Sequence, residues 1–144
     1  MQEQNYKKHA QFVPLFHYVL APLLLVAIII SVTNFARHIG DTHGRATVVL
    51  LLILSVGLFL LSFLARTFAL KVQDRAIRAE ENLRHFAMAG KLLDRRLTIQ
   101  QIIGLRFASD EEFVELAKKA AETGMSMDEI KKSVKNWRPD NYRA

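Results

Sequence analysis

The stretch that decides the fold is Ala46–Ala65, ATVVLLLILSVGLFLLSFLA, 20 residues without Asp, Glu, Lys, Arg, Asn, Gln or proline. A helix rises about 1.5 Å per residue, so roughly 20 apolar residues cross about 30 Å of hydrocarbon. Directly after it, Arg66–Leu97 turns polar, keeps a helical rhythm, has no proline and contains only Gly90 as a breaker. The pattern predicts one helix from Ala46 to about Leu97, on the order of 80 Å long, with about half of it outside a bilayer.

The composition fits that division. Among 144 residues, 51% are hydrophobic and 24% charged, a mixture that an ordinary globular domain does not need unless the two classes are segregated along the chain. There is no cysteine, which excludes disulfides, thiolate metal sites and cysteine nucleophiles. The net charge of +6 is local: Arg66–Arg106 holds nine Lys/Arg against four Asp/Glu, whereas Phe107–Ala144 holds seven against eight. Positive charge therefore gathers where the long helix would leave a membrane and meet anionic lipid.

Upstream, residues 1–14 form a polar segment with Lys7, Lys8 and His9, and positions 9–36 contain no charged Lys, Arg, Asp or Glu. This run exceeds the roughly 7–15 apolar residues of a signal peptide and no A-x-A-like site follows it, so 15–37 is read as a first membrane span. Pro22 should kink it, and Phe12, Phe16 and Tyr18 stand where an interfacial aromatic belt belongs. The short link 38–45, within Arg37–Arg45 (RHIGDTHGR), forces a hairpin with the second span, 46–66. Lys and Arg bias then places both termini in the cytoplasm and the link outside.

The cytoplasmic extension, 67–97, carries a seam. Val72, Ala76, Ala79, Leu83, Phe86, Gly90, Leu93 and Leu97 recur at spacings 4, 3, 4, 3, 4, 3, 4, a heptad pattern. Small residues Ser55, Ser62, Ala69 and Ala76 recur at seven along the same helix, a face that permits close approach in lipid. Two readings stay open: the seam packs the chain's own first span and C-terminal helices, or it binds a second copy.

Residues 98–144 are read as a small cytoplasmic tail of three short helices. Thr98-x-x-Gln101, Ser109-x-x-Glu112 and Ser126-x-x-Glu129 all have capping-box form. The expected buried residues are Ile99, Ile102 and Ile103 in the first helix, and Phe113, Leu116, Ala117 and Ala120 in the second, which stops at Gly124. The third would bury Met127, Ile130, Val134 and Trp137 before Pro139. Phe113, Ile130, Val134 and Trp137 are taken as the tail's anchors. So small a cluster needs support, from the long helix or from a partner chain.

Chemistry-bearing motifs are scarce. His38, Asp41 and His43 in the link are metal-ligand types, but a solvated turn explains them equally simply and metal is not assigned. His9, His17 and His85 read as surface or interfacial residues. Neither span holds a deep charge of the kind ion pathways use, and no phosphate loop, nucleophile elbow or HExxH appears. Ala120, Gly124 and Ile130, followed by Lys131, Lys132, Lys135 and Arg138, have helix-turn-helix spacings. The region from Phe107 onward is nevertheless net −1 by the counts above, a poor attractant for phosphate.

The segments QNYKKHAQFVP (Gln4–Pro14), QIIGLRFASDEEF (Gln101–Phe113) and IKKSVKNWRPDNYR (Ile130–Arg143) resemble a bacterial family of small, uncharacterised two-span membrane proteins. The resemblance implies a bacterial source, the hairpin and the helical tail, and no activity. The sequence thus reads as an all-α inner-membrane protein with no enzymatic role and no cofactor. It would be a self-associating scaffold with anionic lipid, a second copy and an unnamed protein as partners. The alternative is a membrane-tethered nucleic-acid-binding regulator.

Overall fold

A computed structural model describes residues 5–6, 13–40 and 43–140. Lys7, Lys8, His9 and Phe12 of the N-terminal segment and Asp41 and Thr42 of the link lie outside the described residues. Among the described residues the fold is all helical, apart from one antiparallel bridge between Ala108 and Trp137. The chain divides into two compact units, one within Phe12–Ala69 and one formed by Leu70–Ala144, to which Tyr6 also belongs.

In the first unit a π-helical segment, Leu15–Leu20, runs into α1, Ala21–His38. Pro22 accounts for this start. It has no N–H for the carbonyl of Tyr18 and its ring crowds that carbonyl. A wider turn relieves the conflict: Ala21 N–H reaches back to Phe16 O, one residue beyond the α-helical partner. His17 folds back on the start of this turn: its Nδ1 lies 2.9 Å from Val13 O, and since a carbonyl only accepts, Nδ1 is the donor.

The second helix, α2, spans Arg45–Ala89 without interruption, about 68 Å at the α-helical rise. Hydroxyls within these apolar segments bond to their own backbone: Thr33 to Ile30 O (2.9 Å), Ser55 to Leu52 O (3.0 Å), Ser62 to Phe59 O (2.8 Å). The Arg66 guanidinium lies 5.0 Å above the Phe16 ring. Leu15–His38 and Arg45–Ala89 are both long and apolar enough to cross a membrane. Their large side chains, Ile29, Ile53, Leu61 and Phe63 among them, remain exposed.

The second unit corrects one boundary. α2 ends at Ala89, not near Leu97, because Gly90 adopts φ +68°, a left-handed conformation that a residue with a Cβ resists. Leu93 and Leu97 are buried as the seam spacing suggested, but from a returning, non-helical segment. Three short helices follow: α3 Ile99–Leu105, α4 Asp110–Thr123 and α5 Met127–Ser133. Each begins at its expected cap residue, with both bonds of the box at Thr98 and Ser126 and only the Glu112 return bond at Ser109, and α4 stops at Gly124 with φ +66°. Ile102, Leu105, Phe113, Leu116, Ala117, Ala120, Ile130 and Val134 fill the core, with Ile103 and Trp137 packed against it; Ile99 and Met127 are half-buried. α3 and α5 meet at Gly104, where a Cβ would come within 3.2 Å of both Ile130 Cγ2 and the Met127 carbonyl.

The third helix is also shorter than expected. It ends at Ser133, Val134 turns extended (ψ 122°), and Trp137 lies beyond it. The cause is Glu112, the N3 residue of α4. Its carboxylate accepts Lys135 N–H (3.1 Å) and Asn136 N–H (3.0 Å) while reaching back to Ser109 N–H (3.4 Å). The extended segment then pairs with 107–109 through Ser109 N–H to Asn136 O (3.1 Å) and Arg138 N–H to Phe107 O (2.8 Å). Trp137 stacks 4.8 Å from Phe107.

Candidate interaction surface

From Leu70 to Ala89, α2 has two faces with inverted character. Ile77, Glu81 and His85, one turn apart, are only 5–6% exposed and carry the tail. Val72, Leu83 and Phe86 on the other side are 65%, 68% and 52% exposed. The helix buries polar side chains and presents apolar ones.

The buried face works because each polar group has a partner. Arg84 is its hub: NH1 meets Glu81 Oε2 at 3.0 Å, Nε and NH2 meet Asp110 Oδ1 at 2.9 and 2.6 Å, and NH2 donates to Ala108 O at 2.8 Å. Its guanidinium lies 4.2 Å over Phe113. The His85 ring stands edge-on to Phe113, with centroids 5.9 Å apart. A carbonyl can only accept, so the 2.7 Å contact to Lys91 O makes His85 Nδ1 the donor.

These bonds continue along the returning segment. Asn82 Oδ1 accepts Leu93 N–H at 3.2 Å, and Arg78 NH2 reaches Leu97 O at 3.5 Å. Arg78, Asn82 and His85 thus tie 91–97 back along the helix that precedes it. Beside it is a groove of about 360 Å³ lined by His85, Lys91, Leu92, Asp94, Val114 and Glu115 among others. Hydrogen bonds from the Arg96 side chain and backbone hold the Asp94 carboxyl down at about 2. Tyr6 OH donates to Asp128 Oδ1 at 2.6 Å, and Lys132 pairs with the same carboxylate at 2.7 Å; both bonds lower the Asp128 pKa, Lys132 more.

The residues assigned to the seam fall into three groups. Ser55 is buried and Ser62 half-buried in the first unit. Ala69, Val72, Ala76, Ala79, Leu83, Phe86 and Gly90 are exposed, while Leu93 and Leu97 sit in the tail core. The chain's own C-terminal helices therefore do not cover the seam between Val72 and Phe86, contrary to one of the two sequence readings. Of the tail anchors, Phe113, Ile130 and Val134 are core residues, and Trp137 is half-buried on Phe107. Sequence reasoning missed Glu81 and Arg84 as residues that dock the tail; it read Glu112 only as a capping residue and His85 only as a surface or interfacial one. For Glu81 and His85 the local signal is their i, i+4 placement with Ile77.

Other assignments find different surroundings. His38 Nδ1 donates to Asn34 O (3.0 Å), the carbonyl four residues back in its own helix. Lys131, on the helix read as a possible recognition helix, is buried with its ammonium 5.6 Å from the Phe107 ring.

A family model described as a family of unknown function (DUF6526) matches residues 1–144. No curated protein and no solved structure matches the chain.

Proposed function

We propose, for a chain that belongs to DUF6526, a family of unknown function, a non-enzymatic membrane protein. It self-associates through its long helix and displays a helical cluster to a protein partner. The two apolar helices cross the inner (cytoplasmic) membrane as a hairpin. Arg66 over Phe16 supports the hairpin, since it joins the start of the first span to the end of the second. Arg66, Lys71, Arg75 and Arg78 against the two arginines of the link support cytoplasmic termini. The same basic flank suits anionic lipid.

The observation that carries self-association is the exposure of Val72, Leu83 and Phe86 on a face the tail leaves uncovered. An apolar stripe on a chain that has already built its core marks a surface for another molecule. The nucleic-acid alternative draws no support from α5, where Lys131 is buried and Lys132 is paired with Asp128.

Solution mass in detergent tests the reading. The wild type should be an oligomer, and Leu83→Glu with Phe86→Glu should be a monomer with a protease-resistant tail. Lys119→Glu, on the exposed side of α4, should change nothing. A wild type monomeric at all concentrations rejects self-association, and an oligomer that survives the double substitution moves the interface elsewhere.

A further inference from the structure

We propose that the occupant of this face is the same face of a second copy, in a parallel, in-register pair, with Arg75 of each copy beside the partner's Glu80. The proposal rests on self-association through α2 and specifies its geometry.

Three observations carry it. The first is the position of the tail. With Ala76 and Leu83 in one seam row and Val72, Ala79 and Phe86 in the other, Ile77, Glu81 and His85 fall on the opposite side of the helix. The tail occupies that side, so two copies can pair without displacing it. The second is width. Gln73, Arg75, Glu80 and Asn82, which flank the seam, are polar. From Val72 to Leu83 the apolar band is the two rows alone, and beyond it the flank adds the small Ala87; so narrow a band suits two strands, whereas larger bundles bury the flanks as well. Ala76 and Ala79 let the backbones come close.

The third is charge. In a parallel, in-register pair, the residue just before the Ala76 row faces the partner residue five positions on. Arg75 then meets the partner's Glu80, once on each side of the seam. In an antiparallel pair like flanks meet, so Arg75 would face Arg75 or Asn82, and Glu80 would face Glu80 or Gln73. No opposite charges would be matched. In the single chain both Arg75 and Glu80 are exposed, and neither forms an ion pair among the described residues. Anchoring in one membrane with one topology imposes the same parallel direction.

The test uses the full chain in detergent, with self-association measured against protein concentration. Arg75→Glu alone and Glu80→Arg alone each set like charges face to face, and each should weaken association about tenfold. The double variant Arg75→Glu/Glu80→Arg restores opposite charges and should return to about wild-type strength. The chain has no cysteine, so single cysteines can report register. Val72→Cys and Leu83→Cys, each alone, should both give disulfide-linked dimers on oxidation. An antiparallel pair brings at most one of these positions to its own counterpart. An oligomer in which the single charge reversals are silent, or in which the double variant is no better than the singles, overturns the register. So does one in which only one of the two cysteines cross-links. Self-association itself would survive those results, and only a wild-type monomer would remove it.

Discussion

Arg84 concentrates more of the tail's attachment than any other side chain described. It satisfies Glu81, whose side chain is 7% exposed, and it spans to Asp110 and Ala108. Arg84→Met keeps the apolar stem and removes the charge, leaving a buried carboxylate without its nearest partner. The expected cost is about 3 kcal/mol, read from thermal unfolding followed by Trp137 fluorescence; an unchanged midpoint would show that Glu81 finds another partner. Gly104→Ala should cost about 1–3 kcal/mol, because a methyl group there pushes α5 away from α3. Asp94 makes a prediction in pH. Its folded pKa is depressed to about 2 from 3.8. Its contribution is therefore complete above about pH 4 and lost as the pH falls through about 2. In Arg96→Ala the Asp94 midpoint, followed by NMR, should rise toward 3.8. It should not reach that value in full, because the residue 96 N–H still donates to the carboxylate, as at 2.9 Å in the wild type. Glu81 and His85 were not legible as buried residues, nor Glu112 as the acceptor of two distant amides. A polar side chain reads as solvent-facing until the segment that covers it is known, and here the cover is the folded-back tail, including Asp110 and Ala108 on Arg84 and Lys135 and Asn136 on Glu112.

At the scale of elements, what the sequence announces locally is what the structure keeps. The reciprocal capping boxes at Thr98 and Ser126, the Ser109 N–H bond to Glu112 and the stop at Gly124 are bonds within four residues, and all are present. The ends of α2 and α5 were not legible, because distant groups set them. The 4, 3 spacing runs on through Leu93 and Leu97, so Gly90 looks like a tolerated interior glycine. It is the turn point because Asn82 and His85 receive the returning chain. Gly90→Ala should cost about 1 kcal/mol for its positive φ, measured in the same unfolding assay. Trp137 falls in an extended segment because Glu112 takes the N–H groups of Lys135 and Asn136. In Glu112→Ala those two amides should exchange with solvent faster while α3 stays protected; unchanged exchange would place the restraint in the Phe107–Trp137 stack instead.

For the whole molecule, orientation is the property to test first. His43→Cys should react with an impermeant thiol reagent in intact cells, and Lys119→Cys only after lysis; the reverse pattern inverts the topology. The two apolar helices were legible from Ala46–Ala65 and Leu15–Ala36 alone, since length and composition suffice to mark them. The arrangement of the tail on α2 was not, because it depends on which of two faces is covered. The early stop at Gly90 has a further consequence. It leaves the exposed seam only five positions, Val72 to Phe86, about two heptads. A seam of two heptads gives little pairing energy in free solution, so the proposed contact between copies would draw on confinement to a sheet and shared orientation. On the proposed reading, pairing would track how many copies occupy each unit of membrane area: it would form where the protein is crowded and lapse where it is diluted, with no ligand required.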